Sequence, residues 1–494
     1  MPLAAIVGRK NNDVSRDIAD MLEAMSYNKR LFSVATDSEL VTTRDVRSLD
    51  LTEAAVAIGR CGFSTSDARF STRPFDQKGK LSIALDGYFL GSVNSSCDEA
   101  GHGIEWVADI IGERGRTEDL SGAVGSVLPE LRGAFSLVVM KGKTVVVARD
   151  VFGFEPLYWG EDDWRVAIAS EMKALWKIGL RDVVSFPQGC VARVNEGTRV
   201  SKVLSLVRPK VVDVSLDVAA GRLVETLSRF FSSDLRRIGE MGLLFSGGVD
   251  SSIVAKISCD SGLRAKLYGV AVEGAHDADV IERSASELGF ELRLRILSLD
   301  EVEDYLRKTV YAVEEANPMS VGIGLPVYVG MEAANADGFE FVLSGQGADE
   351  LFGGYSRYRR IIKEGYERLH DEMWNDVAHM REVNLQRDSA IAMANNVDCF
   401  LPFLDLEVVN LAMSFPVALK VKGPEDMLRK HVLREAAKML GLPESIAYLP
   451  KKAAQYSSGS DMAIRKLAKR GGKSHREYVE DIFKEIFREY CPQT

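Results

Sequence analysis

Over the first two hundred residues, short apolar or alternating runs recur. Ala4–Val7, Ala54–Ile58, Leu81–Leu85, Ser136–Met140, Thr144–Ala148, Val166–Ala169 and Cys190–Val194 predict strands. Gly142, Gly153, Gly160 and Pro187 punctuate them as turn residues. Helical spacing predicts three helices, at Val14–Met25, Gly103–Gly112 and Gly122–Leu131. The mixture predicts an α+β domain of packed sheets over residues 1–207. Arg208-Pro209-Lys210 then reads as a connection between domains, and residues 208–494 as the second domain.

Leu216, Ala220, Leu223, Leu227, Phe230 and Leu235 predict one face of an amphipathic helix. The apolar run Gly242–Phe245 follows, with the look of a buried parallel strand, and a helical pattern resumes at Ile253. Lys266–Val272 predicts a second strand, Ala278–Leu288 a helix, and Glu291–Leu297 and Phe339–Leu343 two further strands. That alternation predicts an α/β doubly wound parallel sheet, whose ligands lie at the carboxyl ends of its strands. From Leu428 onward the pattern is largely helical.

A chain of 494 residues is too long for one ordinary core. With 46% hydrophobic and 27% charged residues, its composition is that of a soluble globular protein. A net charge of −10 argues against a nucleic-acid groove, and the apolar runs are too short to span a bilayer. Arg9-Lys10 follows the first apolar stretch, the wrong order for a secretory signal. The six cysteines are scattered without zinc-site spacing, so a reducing cytoplasm is the expected location. Lone His276 predicts a loop or capping residue, and Arg465–Lys473 a solvated basic helix face.

The candidate chemistry lies just past two of the predicted strands. Ser246-Gly247-Gly248-Val249-Asp250-Ser251-Ser252 combines a glycine turn with a helix N-terminus, where free N–H groups and the helix dipole favour an anion. Ser246, Ser251 and Ser252 add hydroxyls, and Gly247 and Gly248 admit a phosphate closely. Asp250 would repel that phosphate unless a cation lay between them, which predicts a magnesium ligand. No lysine follows the glycines, so this is not the Gly-Lys-Ser/Thr phosphate loop. Ser344-Gly345-Gln346-Gly347-Ala348-Asp349-Glu350 follows the last strand, and Tyr355 closes the same stretch. If the two strands are neighbours, Asp250 and Asp349 can share magnesium.

The first loop resembles the pyrophosphate-binding loop of enzymes that split ATP into AMP and pyrophosphate. The pair of loops, with Leu401-Pro402-Phe403-Leu404-Asp405 and the stretch Leu449–Gly459, resembles the synthetase domain of the asparagine synthetase family, an ATP-pyrophosphatase fold. Before residue 207, Asp86-Gly87, Ala148-Arg149-Asp150, Pro156-Leu157-Tyr158 and Ser170-Glu171 resemble that family's glutaminase domain, a glutamine amidotransferase of the N-terminal-nucleophile type. The resemblance implies an amide ligase. ATP activates a carboxylate, with aspartate favoured, as an acyl-adenylate, and ammonia then attacks. ATP and magnesium are the implied cofactors. Nucleotide binding is implied for Ser246, Gly247, Gly248, Asp250, Ser251, Ser252, Val270, Ser344, Gly345 and Tyr355. Asp250 and Asp349 are implied metal ligands, and Lys451 or Lys452 neutralises charge on the phosphates.

Three departures qualify that resemblance. Those glutaminases carry a cysteine directly after the initiator methionine, but here Pro2 and Leu3 follow Met1 and the first cysteine is Cys61. The expectation is a domain that does not hydrolyse glutamine, leaving ammonia free or supplied by a separate glutaminase. Gln346 stands where the family has a glutamate that resembles a general base, and glutamine takes no proton at neutral pH. Glu350 is the candidate to replace it. The segment Glu314–Gly322 lacks the Asp and Arg that accompany aspartate recognition. Two rivals therefore remain, a ligase for another carboxylate, as in the β-lactam synthetases, and an inert nucleotide-binding regulator.

Overall fold

In the computed structural model the chain is described over residues 1–27, 31–62, 75–78, 81–92, 103–195, 197–235, 238–275, 277–450 and 458–490. It divides into two units, Met1–Leu206 with Lys484–Thr494, and Val207–Phe483.

The first unit is built on two antiparallel sheets. In one, Leu3–Gly8 lies between Arg165–Ala169 and Val56–Gly62; in the other, Leu131–Lys141 lies between Thr144–Arg149 and Leu81–Ser92. Alternate residues of a strand face opposite ways. Leu3, Ala5 and Val7 accordingly share a core with Val138, Met140, Val145 and Val147 of the other sheet. Ala4 and Ile6 pack instead with Ile18, Met21 and Leu22 of helix Ser15–Ala24. Helices Ile104–Arg114 and Leu120–Val127 cover the outer face of the second sheet. The third predicted helix stops early. Pro129 stands in a short 3-10 turn after Val127, and Leu131 already begins a strand. Strands Leu31–Thr36 and Leu40–Thr43 were not predicted, because Leu40–Thr43 is an edge strand without buried residues and its partner is only partly apolar.

The second unit holds a five-stranded, wholly parallel sheet. Its strand order is Leu292–Leu297, Arg264–Val272, Glu240–Leu244, Phe341–Leu343, Asp398–Phe400. Chain order runs outward from Glu240–Leu244 to one edge and restarts on its other side at Phe341–Leu343. The order thus reverses between these two strands, the place where α/β sheets open a crevice. They are hydrogen-bonded neighbours, with Gly242 opposite Val342 and Leu243 opposite Leu343. Both lead directly into the glycine-rich loops.

Helices Val249–Asp260, Asp277–Leu288 and Pro318–Ala336 connect and cover the strands. The last of these packs tightly, since a β-carbon at Gly330 would lie 2.7 Å from Leu244 Cδ2. The amphipathic helix runs from Leu216 to Arg229 behind Ser215, whose hydroxyl accepts from Val218 N–H at 3.4 Å. It buries Ala220, Leu223 and Leu227, and a wider π-type turn continues to Leu235. Among the described residues no helix is long and apolar enough to cross a membrane.

Candidate functional site

The loop after Glu240–Leu244 folds on its own hydroxyls. Ser246 Oγ lies 3.3 Å from Ser251 Oγ, and Ser251 Oγ donates to Gly248 C=O at 3.2 Å. Gly247 has φ +72, and Ser284 Oγ donates to its carbonyl at 3.1 Å, which ties the loop to helix Asp277–Leu288. The second loop lies against the first. A β-carbon at Gly345 would stand 3.3 Å from Ser251 N.

Over both loops opens a cavity of about 200 Å³, partly open to solvent. Ser246, Asp250, Ser251, Ser344, Gly345 and Asp349 line it. Tyr268, Val270 and Ile281 contribute apolar lining, against which a planar base would be desolvated. Gln346, Glu350, Arg387 and Asp388 also line it, as do Ile323 and Val327. Gly247, Gly248 and Ser252 fall outside this lining. Ser252 sits about 100° further round the helix than Ser251 and is wholly buried.

Asp250 and Asp349 are brought together, and a lysine stands between them. Lys430 Nζ lies 2.6 Å from Asp250 Oδ2 and 2.6 Å from Asp349 Oδ1, with no exposed side-chain surface. Among the described residues no three His, Cys, Asp or Glu side chains gather as a metal nest. Two carboxylates beside a phosphate loop nevertheless fit magnesium, which is commonly held by one or two carboxylates with substrate phosphates.

Glu350 is buried. The Tyr355 hydroxyl and Asn384 Nδ2, the latter at 2.8 Å, both donate to its Oε1, while Oε2 has no hydrogen-bond partner. Burial, with Asp349's charge beside it, pushes the Glu350 carboxyl up to about 7. Tyr355 reaches the site through Glu350 and does not line the cavity.

Arg387 and Asp388 come from helix Gln386–Ala394 and form a buried pair, with Arg387 Nε donating to Asp388 Oδ1 at 2.7 Å. Neither they nor Lys430 were singled out in the sequence. The one available signal was an Arg-Asp dipeptide shortly before Leu401-Pro402-Phe403. Lys451 and Lys452 lie outside the described residues, as does His276. The chain rejoins the site at Ser458, which lines the cavity and whose carbonyl accepts from Val272 N–H at 2.9 Å.

In the first unit the buried Asp86 carboxylate takes the Met1 amine at 2.5 Å and the Ser170 hydroxyl at 2.6 Å. Lys173 Nζ lies 2.9 Å from Glu171 Oε2, both wholly enclosed, and it also donates to the Tyr27 hydroxyl at 2.8 Å. Cys61 and Cys190 are buried in strands.

The asparagine synthase family profile matches residues 222–365 and 362–491, and a glutamine amidotransferase domain profile matches 117–177. A Methanocaldococcus jannaschii protein, provisionally named asparagine synthetase (glutamine-hydrolysing) 1, is 35% identical over 418 residues, 74% of this chain and 76% of that one. Asparagine synthetase B of Escherichia coli is 28% identical over 355 residues, covering 67% of this chain and 62% of its own. For asparagine synthetase 3 of Arabidopsis thaliana the figures are 28%, 348 residues, 66% and 58%. The chain thus spans about three fifths of the length of the plant and Escherichia coli relatives. A Bacillus subtilis glutamine phosphoribosylpyrophosphate amidotransferase structure aligns at TM-score 0.37 and 15% identity over 61% of this chain and 91% of its own, too distant to bear on the fold. On the profile match over its second half and the archaeal relative, the chain belongs to the asparagine synthetase family.

Proposed function

We propose that the protein is an ATP-dependent, AMP- and pyrophosphate-forming amide ligase. The observation that carries the reading is the meeting of Asp250 and Asp349 over one cavity that also has apolar and charged lining. Val270 and its neighbours take the base. The Ser246–Ser252 loop, with Ser344 and Gly345, receives the leaving pyrophosphate through N–H and hydroxyl donors. Asp250 and Asp349 would hold magnesium, which when bound draws off negative charge as the α–β phosphate bond breaks. The substrate carboxylate, with aspartate favoured, attacks the α-phosphorus to give an acyl-adenylate. Lys451 or Lys452 neutralises charge on the phosphates.

Ammonia then attacks the acyl carbon, and AMP leaves with its electron pair. Gln346 can orient the nucleophile but cannot take its proton. Glu350 takes that proton in this reading, supported by an Oε1 held by Tyr355 and Asn384 and an uncommitted Oε2. Arg387 supplies the arginine fork that the Glu314–Gly322 segment lacks. Glutamine hydrolysis is absent from this reading. Among the described residues, the first unit's thiols, Cys61 and Cys190, are enclosed in strands where no substrate reaches them. Ammonia is then taken from solution or from a separate glutaminase.

The substitution at Gln346 favours a second reading, in which the adenylated acid is not aspartate and its own amine closes on it. Pyrophosphate release from ATP, measured across a panel of amino acids with and without ammonia, separates the two. Release with aspartate, and asparagine formed once ammonia is added, is expected. Release only with a different acid selects the second reading, and no release with any acid refutes both in favour of a binding protein. Asp250→Asn should abolish release; near-normal turnover in that variant removes the metal role.

A further inference from the structure

We infer that Lys430 is the resident cation of the Asp250–Asp349 pair and that it couples divalent-metal binding to binding of the nucleotide's phosphates. The inference rests on the reading of these aspartates as metal carboxylates. Lys430 is clamped in place from several sides. Its backbone and that of Arg429 are both left-handed, φ 55 and 54, a conformation that disfavours residues with a β-carbon. Asp426 Oδ1 holds that turn by accepting from Leu428 N–H at 3.2 Å and Arg429 N–H at 2.9 Å. Buried Arg434 donates to the carbonyls of Leu428 and Arg429, each at 2.7 Å. Gly354 leaves the space for the contact, since a β-carbon there would overlap both Lys430 Cε and Asp349 Oδ1.

A divalent cation reaching the aspartates must displace the ammonium. Alone, that exchange strands a buried charge without a counter-ion, which opposes it. A di- or triphosphate reverses the balance. Its oxygens complete the coordination that two carboxylates leave open, and its charge takes over the lysine. Metal and phosphate then each tighten the other's binding by the same factor. The acidic pair therefore binds little metal until the nucleotide arrives.

The test uses Mn2+ as probe, read as free and bound ion by electron paramagnetic resonance on the full chain. In the wild-type protein, Mn2+ alone should bind at least about tenfold more weakly than Mn2+ in the presence of α,β-methylene ATP, which cannot release pyrophosphate. Lys430→Met should bind Mn2+ alone about tenfold more tightly than wild type, whereas Lys430→Arg should stay weak. Tight binding of Mn2+ alone by the wild-type protein overturns the inference without any variant. So does a folded Lys430→Met that gains nothing. Asp250→Asn separates the two levels. If it keeps the nucleotide-dependent Mn2+, the metal-site reading itself fails. If it loses that Mn2+ while Lys430→Met gains nothing, only the lysine's role fails.

Discussion

Gly354 packs so closely on Asp349 that a β-carbon at the glycine would overlap the carboxylate oxygen Oδ1. Gly354 N–H follows the turn that ends helix Ala348–Phe352, donating to Asp349 C=O at 2.8 Å. The glycine therefore sets where this aspartate can stand. Gly354→Ala must push Asp349 or Lys430 aside, and such overpacking costs about 1–3 kcal/mol. We expect pyrophosphate release to fall by about a hundredfold or more, since misplacement by an ångström is enough for that, with a lower melting temperature. Unchanged turnover would mean that Asp349 does not need this position.

Glu350 makes a separable prediction in the metal-free protein. Its folded carboxyl titrates near 7, above the 4.5 of an unperturbed glutamate. Between those values the unfolded chain has lost the proton and the folded chain still holds it. Stability is therefore fully present below about 4.5 and falls as pH rises toward 7, by on the order of 3 kcal/mol. Glu350→Gln should remove that slope, so the variant gains stability over wild type at pH 8 and not at pH 4. Denaturant melts at the two pH values give the comparison. The same variant should spare pyrophosphate release and lose amide formation, because Glu350 serves the ammonia step.

How much of this site the sequence displayed depended on the kind of signal. Ser246–Ser252 and Ser344–Tyr355 stood out because small residues crowd together after apolar runs, a local pattern. That Gly242 pairs with Val342 was not legible, since nothing local states which strands adjoin across a hundred residues. Lys430 and Arg387 stayed hidden for a related reason. Each sits among other charged residues in a helical-looking segment, and only tertiary partners distinguish a buried cation from a solvated one. Strand Asp398–Phe400 escaped because three residues carry no period. In the first unit, the apolar runs were visible, while edge strand Leu40–Thr43 was too polar to register.

Lys420 is wholly buried, and burial alone lowers its amine to about 7 from an ordinary 10.5. Its nearest polar contact is the Met413 sulfur at 3.9 Å. As pH falls from 10.5 to 7 the unfolded chain binds a proton that the folded chain refuses. Stability drops across that window and levels off below it. Lys420→Met keeps the stem and removes the charge, so it should raise stability at pH 7 by roughly 3–5 kcal/mol. Little difference should remain at pH 10.5. A variant no more stable than wild type at pH 7 would show that the ammonium is hydrated in the folded protein.

Arg434 ties the lysine turn to the segment that leads toward Lys451. Its guanidinium donates to Leu428 and Arg429 C=O, each at 2.7 Å, and to Ala447 and Leu449 C=O at 2.5 and 3.2 Å. Lysine cannot reproduce a planar fork that satisfies four carbonyls in fixed directions. Arg434→Lys therefore leaves buried acceptors unmet, at about 1–3 kcal/mol for each group. If the arginine acts only on stability, turnover of the folded fraction should be normal at low temperature. If it positions Lys430, the folded variant should also bind Mn2+ more tightly without nucleotide, because the ammonium no longer sits between the aspartates. We expect the second outcome, together with a fall in pyrophosphate release that saturating ATP does not restore. Full release by folded Arg434→Lys would place the arginine outside the machinery.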